Sequence, residues 1–162
     1  SIELRERLEQ RSGLGIAMGS DAVEAALRCY GAIKRIGVVT PYWPAGDAMV
    51  RKYFEESGLE VVHLTGLRAK SPMLISHITE GELRDALAEV DGPDVDAIVQ
   101  AGTNVSMARL AGEAEQSMHK PVIAINTAIY WYALRANGID DVVEGFGSLL
   151  ADFRELPAPA GA

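Results

Sequence analysis

The residues of this chain best suited to chemistry by type and spacing are Gly102, Thr103 and Asn104. They follow an apolar run, Val95, Ala97, Ile98 and Val99, and precede Val105, Ala108, Leu110, Ala111 and Ala114, which recur at helical spacing. A buried strand that passes through a small polar turn into a helix leaves free backbone N–H groups at its carboxyl end. Such groups, joined by a hydroxyl and an amide, suit an anion. Gly102 lets a ligand come close to the backbone, and Thr103 or Asn104 fits the N-cap of the helix. The same turn also reads as an ordinary strand–helix connection with a normal cap, and local sequence leaves both readings open.

Four further residues are candidates. Tyr42, in the turn TPYWPAGD, offers a phenolic hydroxyl or is a surface aromatic. His77, in the polar segment 65–78, is an acid–base group or a plain loop histidine. Asn126 either caps the last long helix or touches ligand. Cys29, the only cysteine, falls at a helical position and reads as a small buried hydrophobe rather than a nucleophile. His63, His77 and His119 lack metal-ligand spacing, and CxxC, HExxH and P-loop patterns are absent, so no metal site is expected. Tyr130, Trp131 and Tyr132 read as core and interface.

The elements that position these residues follow from periodicity. Ile2–Ser12 reads as a helix with Leu4 and Leu8 on one face, ended by Gly13 and Gly15. A short strand is expected within residues 14–18, then a helix over 22–30 capped by Ser20 or Asp21. Residues 34–40 form a buried strand. An amphipathic helix carries Met49, Val50, Tyr53 and Phe54 and stops at Gly58. Residues 59–64 form the second strand, and 65–78 are irregular. Thr79 begins a helix with Glu82 at the capping-box position, broken by Gly92-Pro93. The third strand and its helix flank Gly102. The fourth strand spans 122–125, and Asn126-Thr127 leads into a helix over about 128–136. A short helix is expected within 146–153, and the Pro/Ala/Gly-rich residues 156–162 are expected to fray.

Strands alternating with helices predict an α/β fold, a three-layer αβα sandwich around a mainly parallel, Rossmann/flavodoxin-like sheet. In such sheets ligands bind outside the carboxyl ends of the strands. That edge collects Thr40-Pro41-Tyr42, the loop around His77, the turn 102–105 and Asn126-Thr127. All are polar and uncharged. The turn after the first buried strand lacks GxGxxG, so a dinucleotide is not expected.

With 162 residues, 48% hydrophobic and 23% charged, the chain can bury one full core. A net charge of −8 argues against a nucleic-acid partner. No apolar run approaches the roughly 18–20 residues that span a bilayer, so no membrane partner is expected. The opening SIELRERLEQR is a charged helix start, not a signal peptide. One cysteine precludes an internal disulfide and points to the cytoplasm.

Three motifs in order, TPY at 40–42, GTNVSMARLAGEAE at 102–115 and KPVIAINTAIYWYALRANGI at 120–139, resemble the aspartate/glutamate racemase superfamily. The similar branch is that of maleate cis–trans isomerase and arylmalonate decarboxylase, with the ectoine-utilisation relatives. The resemblance covers most of residues 34–150. It implies two similar α/β halves with the active site between them, and neither metal nor organic cofactor. Only the second half is recognisable. Residues 1–31 resemble the final helix, strand and crossover helix of a first half, 32–153 a C-terminal α/β domain, and 154–162 a flexible tail. The family's second-half cysteine aligns with Gly102. The resemblance therefore implies substrate binding by Tyr42, Gly102, Thr103, Asn104 and Val105, with His77 and Asn126 as further candidates, and leaves the catalytic group unassigned.

The expected function is a cofactor-independent isomerase, racemase or decarboxylase of a small mono- or dicarboxylate, working through an enediolate or a thiol adduct. The alternative is a non-catalytic carboxylate-binding or sensor domain. A phosphorylated ligand is disfavoured, because no Lys or Arg lies at the strand tips. The expected partners are a small carboxylate and either further copies of the chain or a first half. With Cys29 in a helix, the 162 residues alone are expected to give no turnover.

Overall fold

Short runs of β-branched and small residues, each followed by an amphipathic segment, build a parallel sheet covered by helices. The computed structural model describes residues 2–158. Four strands, β1 (Arg35–Thr40), β2 (Glu60–Gly66), β3 (Ala97–Gln100) and β4 (Val122–Ala124), pair in parallel in the order β2-β1-β3-β4. The helices are α1 (Ile2–Ser12), α2 (Gly19–Cys29), α3 (Pro44–Glu56), α4 (Glu80–Val90), α5 (Ala108–Met118), α6 (Ile125–Ala136) and α7 (Ser148–Asp152).

Alternation along the central strands sorts the core into two layers. Ile36, Val38, Ala97, Val99 and Ile123 face α2, α3, α6 and α7. Val39, Ile98, Val122 and Ala124 face α4 and α5. The α/β fold with a parallel sheet and helices on both faces is as expected. Arg135 is buried on α6 and donates to the carbonyls of Ile139 (2.8 Å), Asp141 (3.0 Å) and Phe153 (2.9 Å). The indole N–H of Trp131 shares the Phe153 carbonyl at 2.8 Å. Segment 139–153 is thereby tied to α6.

The strand order matters for function. The chain leaves β1 for β2 on one side, then returns past β1 to β3 on the other. The α3 and α5 connections therefore lie on opposite faces, and a crevice opens beyond the carboxyl ends of β1 and β3.

Several expectations are corrected. Residues 14–18 are not a strand. Their polar groups are met by side chains instead: Asn137 Oδ1 accepts from Gly15 N–H at 2.9 Å, and Glu9 Oε1 from Ile16 N–H at 3.1 Å. Helix α2 starts before Ser20 and Asp21, with Met18 at its N-cap and no side-chain cap. Asp21 pairs with Arg5. Strand β2 runs on to Gly66, and Pro72–His77 is a 3-10 turn rather than irregular chain. Strand β4 ends at Ala124, and α6 begins at once with Ile125, so Asn126 is not a cap. The capping box of Thr79 and Glu82 is present as expected. Of the tail, Leu156 packs against the first core layer, and residues 159–162 lie outside the described residues.

Candidate functional site

The end of β1 sets the first wall. Thr40 is fully buried; its hydroxyl donates to Asp47 in the first turn of α3 and accepts from the Tyr42 N–H at 3.0 Å. This fixes the chain through Pro41 and brings Tyr42 to the crevice. A Cβ on Gly46 would lie 2.8 Å from Tyr42 Cβ, so α3 can start under Tyr42 only with glycine there.

The end of β3 meets that wall. Gly102 has φ +111°, and a Cβ built on it would lie 2.6 Å from Pro41 Cδ and 3.6 Å from the Tyr42 hydroxyl oxygen. The two turns are thus in contact at the switch point, with the phenol beside Gly102. The Ala101 N–H still pairs with Val39 O at 2.9 Å, closing the sheet. Beyond it, Gly102 O accepts from Gln100 Nε2 at 2.9 Å and from Val105 N–H at 3.2 Å. Thr103 O accepts from Asn126 Nδ2 at 2.8 Å. Among the described residues the N–H groups of Gly102, Thr103 and Asn104 have no partner.

A cavity of about 460 Å³ lies against these turns. Val23, Met49, Val50, Phe54, Val99 and Ile125 give it apolar walls, and Ser20, Tyr42, Tyr53 and Gly102 supply its polar atoms. No charged side chain of the described residues lines it. The Tyr53 hydroxyl donates to Glu24; burial first, then that carboxylate, pushes its pKa up, so it stays protonated. A larger hollow of about 710 Å³ lies between α5 and segment 144–152, lined by Arg109, Glu113, Glu115 and Lys120 among others. None of the candidate residues lines it.

The structure sorts the candidates. Tyr42 and Gly102 line the cavity. Thr103 and Asn104 are exposed on the turn, but neither caps a helix: α5 starts only at Ala108, with Met107 at its N-cap. The bond from Val105 N–H to Gly102 O makes a separate turn that delays the helix. Val105 is 1% exposed and packs in the second core layer, and its N–H is already engaged. His77 ends the 3-10 turn, exposed and away from the cavity wall. Asn126 holds the turn rather than facing the cavity. Cys29, at the end of α2, does not line the cavity, and burial pushes its thiol up to about 11, so it is protonated at neutral pH.

Sequence reasoning missed Gln100 and the wall formed by α2 and α3. For Gln100 the signal was an amide closing an apolar strand. The wall residues read only as core. Among the described residues no group of three His, Cys, Asp or Glu side chains is placed to hold a metal ion. No helix among them is long and apolar enough to cross a membrane.

Comparison with known proteins bears on the family and the fold. A family model described as arylmalonate decarboxylase matches residues 1–150. Maleate isomerase of Pseudomonas putida KT2440 is 27% identical over 119 residues, 73% of this chain and 48% of that protein. The crystal structure of the maleate isomerase Iso from Pseudomonas putida S16 superposes with a TM-score of 0.84 at 28% identity, over 93% of this chain and 61% of that one. A cysteine-to-alanine mutant of the same isomerase is solved with maleate. A crystal structure of arylmalonate decarboxylase has the same fold, with a TM-score of 0.81 at 22% identity, over 92% and 66% of the two chains. The chain thus spans about half the length of the curated relative it matches.

Proposed function

Since the chain belongs to the arylmalonate decarboxylase family, we propose that it forms the carboxylate-binding half of a cofactor-independent decarboxylase or isomerase. The observation that carries this reading is the turn at 102–104. Among the described residues its three N–H groups are unengaged, Gly102 lies against the Tyr42 phenol at the wall of an uncharged cavity, and Thr103 is exposed beside it. Loss of CO2 from a malonate leaves an electron pair on the α-carbon, delocalised into the remaining carboxylate as an enediolate. Neutral donors in a site shielded from water stabilise that charge without a metal. The apolar walls favour a malonate with an apolar α-substituent over maleate.

Gly102 stands at the second-half cysteine position, so the thiol that delivers the proton must come from another α/β half. We propose that residues 1–31 belong to such a half, with 32–153 as the second. Exposed apolar residues in the connections after β1 and β2 support a partner surface, whether of a first half or another copy: Met49 is 74% and Met73 84% exposed. The single cysteine favours a cytoplasmic setting.

The second reading, a carboxylate-binding or sensor domain, is favoured by one observation: the only thiol, Cys29, is half-buried at the end of α2, off the cavity, and protonated at neutral pH. Both readings require binding. Adding phenylmalonate to 15N-labelled chain is expected to move the amide signals of Gly102, Thr103 and Asn104, with no CO2 release by the 162 residues alone. Joined to a half that carries a thiol at its own strand edge, the chain is expected to release CO2, insensitive to chelators and abolished by thiol alkylation. Turnover by the 162 residues that vanishes in Cys29→Ala would overturn this assignment, as would unmoved amide signals at millimolar ligand.

A further inference from the structure

We infer that Gln100 and Asn126 are positioning residues, whose side-chain amides hold the 102–104 turn so that its N–H groups face a ligand. The inference rests on the proposed carboxylate site and extends it to two residues that need not touch the ligand themselves.

A trans peptide points its C=O and the following N–H in opposite directions. Gly102 O is drawn to Gln100 Nε2 at 2.9 Å, and Gln100 is 0% exposed. The Thr103 N–H in the same peptide plane is therefore directed away from the interior. Thr103 O is drawn to Asn126 Nδ2 at 2.8 Å, so the Asn104 N–H is directed away from α6. The two amides come from separate elements, the last residue of β3 and the first turn of α6. Each fixes one peptide plane of the turn. Gly102, at φ +111°, allows the chain to pass between them.

The state of Gln100 separates this role from simple packing. Its Oε1 is buried and meets no donor among the described residues. An unpartnered buried amide oxygen works against folding, and an apolar side chain of similar size would remove that burden. The rest of β3 is Ala97, Ile98 and Val99, all buried. Turning the amide over would set its oxygen against Gly102 O, so its orientation is determined. The interaction that Gln100 does make is the bond to the turn.

The test uses Gln100→Met, which keeps size and removes the donor, and Asn126→Ala on the half-exposed start of α6. Gln100→Met is expected to melt within a few degrees of the parent or higher. Both variants are expected to shift the Thr103 and Asn104 amide signals and to weaken phenylmalonate binding at least tenfold. Unchanged turn signals and unchanged affinity in folded variants would overturn the inference. If Gln100→Met does not fold, Asn126→Ala decides in the same way. Should the parent chain bind no phenylmalonate, the carboxylate site itself fails. The positioning role is then judged on the turn signals alone, perturbed in the variants if it holds and unmoved if it does not.

Discussion

At Gly102 two requirements meet. The backbone sits at φ +111°, which side-chain-bearing residues rarely adopt, and the space a Cβ would take is filled by the Pro41 ring. Strain of this kind costs on the order of 1–3 kcal/mol, apart from the displacement of a rigid ring. Gly102→Ala is therefore expected to lower the melting temperature by several degrees, at roughly 2–4 °C per kcal/mol for a chain of this size. Calorimetry showing a loss of under one degree would mean that the turn relaxes freely. The types of residues 102–104 and 42 were legible as donors from sequence. Gln100 was not, because its role depends on which carbonyl lies beneath it. Val105 was misjudged for a similar reason: an apolar residue next to a polar turn can face either way, and here the core holds it.

Between elements, Asp96 shows how a single carboxylate sets register. It accepts from the N–H groups of Arg35 at 2.8 Å and Lys34 at 3.0 Å, joining the start of β1 to the start of β3. These two backbone donors, with the Arg35 guanidinium 3.8 Å away as a lesser contributor, hold its carboxyl below the usual carboxylate range. A lowered folded-state pKa contributes stability that is present above the unfolded value near 4 and is lost as pH falls through the folded value. Asp96→Asn should thus be less stable than the parent at pH 7, and the gap should close below about pH 4. Urea melts at pH 7 and pH 3 with the same gap would reject this account. The helix boundaries that failed, at α2, α5 and α6, failed because none of the three uses a side-chain cap. Where a capping box exists, at Thr79 and Glu82, the start was read correctly.

For the molecule as a whole, Arg135 binds distant chain to the sandwich. It meets carbonyl groups from Ile139, Asp141 and Phe153 in an otherwise apolar layer. Arg135→Ala leaves these carbonyls without their charged donor, at an expected cost of about 2–4 kcal/mol. Limited proteolysis should then cut within 139–153 sooner than elsewhere. A variant as resistant as the parent would show that α7 and the Trp131–Phe153 bond suffice to hold the segment.

Periodicity by itself determined the class of the fold, since runs of buried β-branched residues alternating with amphipathic segments have few other solutions. Motif order determined the family resemblance, and residue type at 102–104 marked that turn as a candidate anion site built from neutral groups. The strand order β2-β1-β3-β4 was decided only in three dimensions. It places Tyr42 beside Gly102, some sixty residues apart in the chain, because β1 and β3 pair directly. Tertiary structure also decided which donors are free. A backbone N–H is available only if no carbonyl reaches it, and a carbonyl is turned away only if something holds it. Gln100 and Asn126 do so here from elements that no local pattern connects.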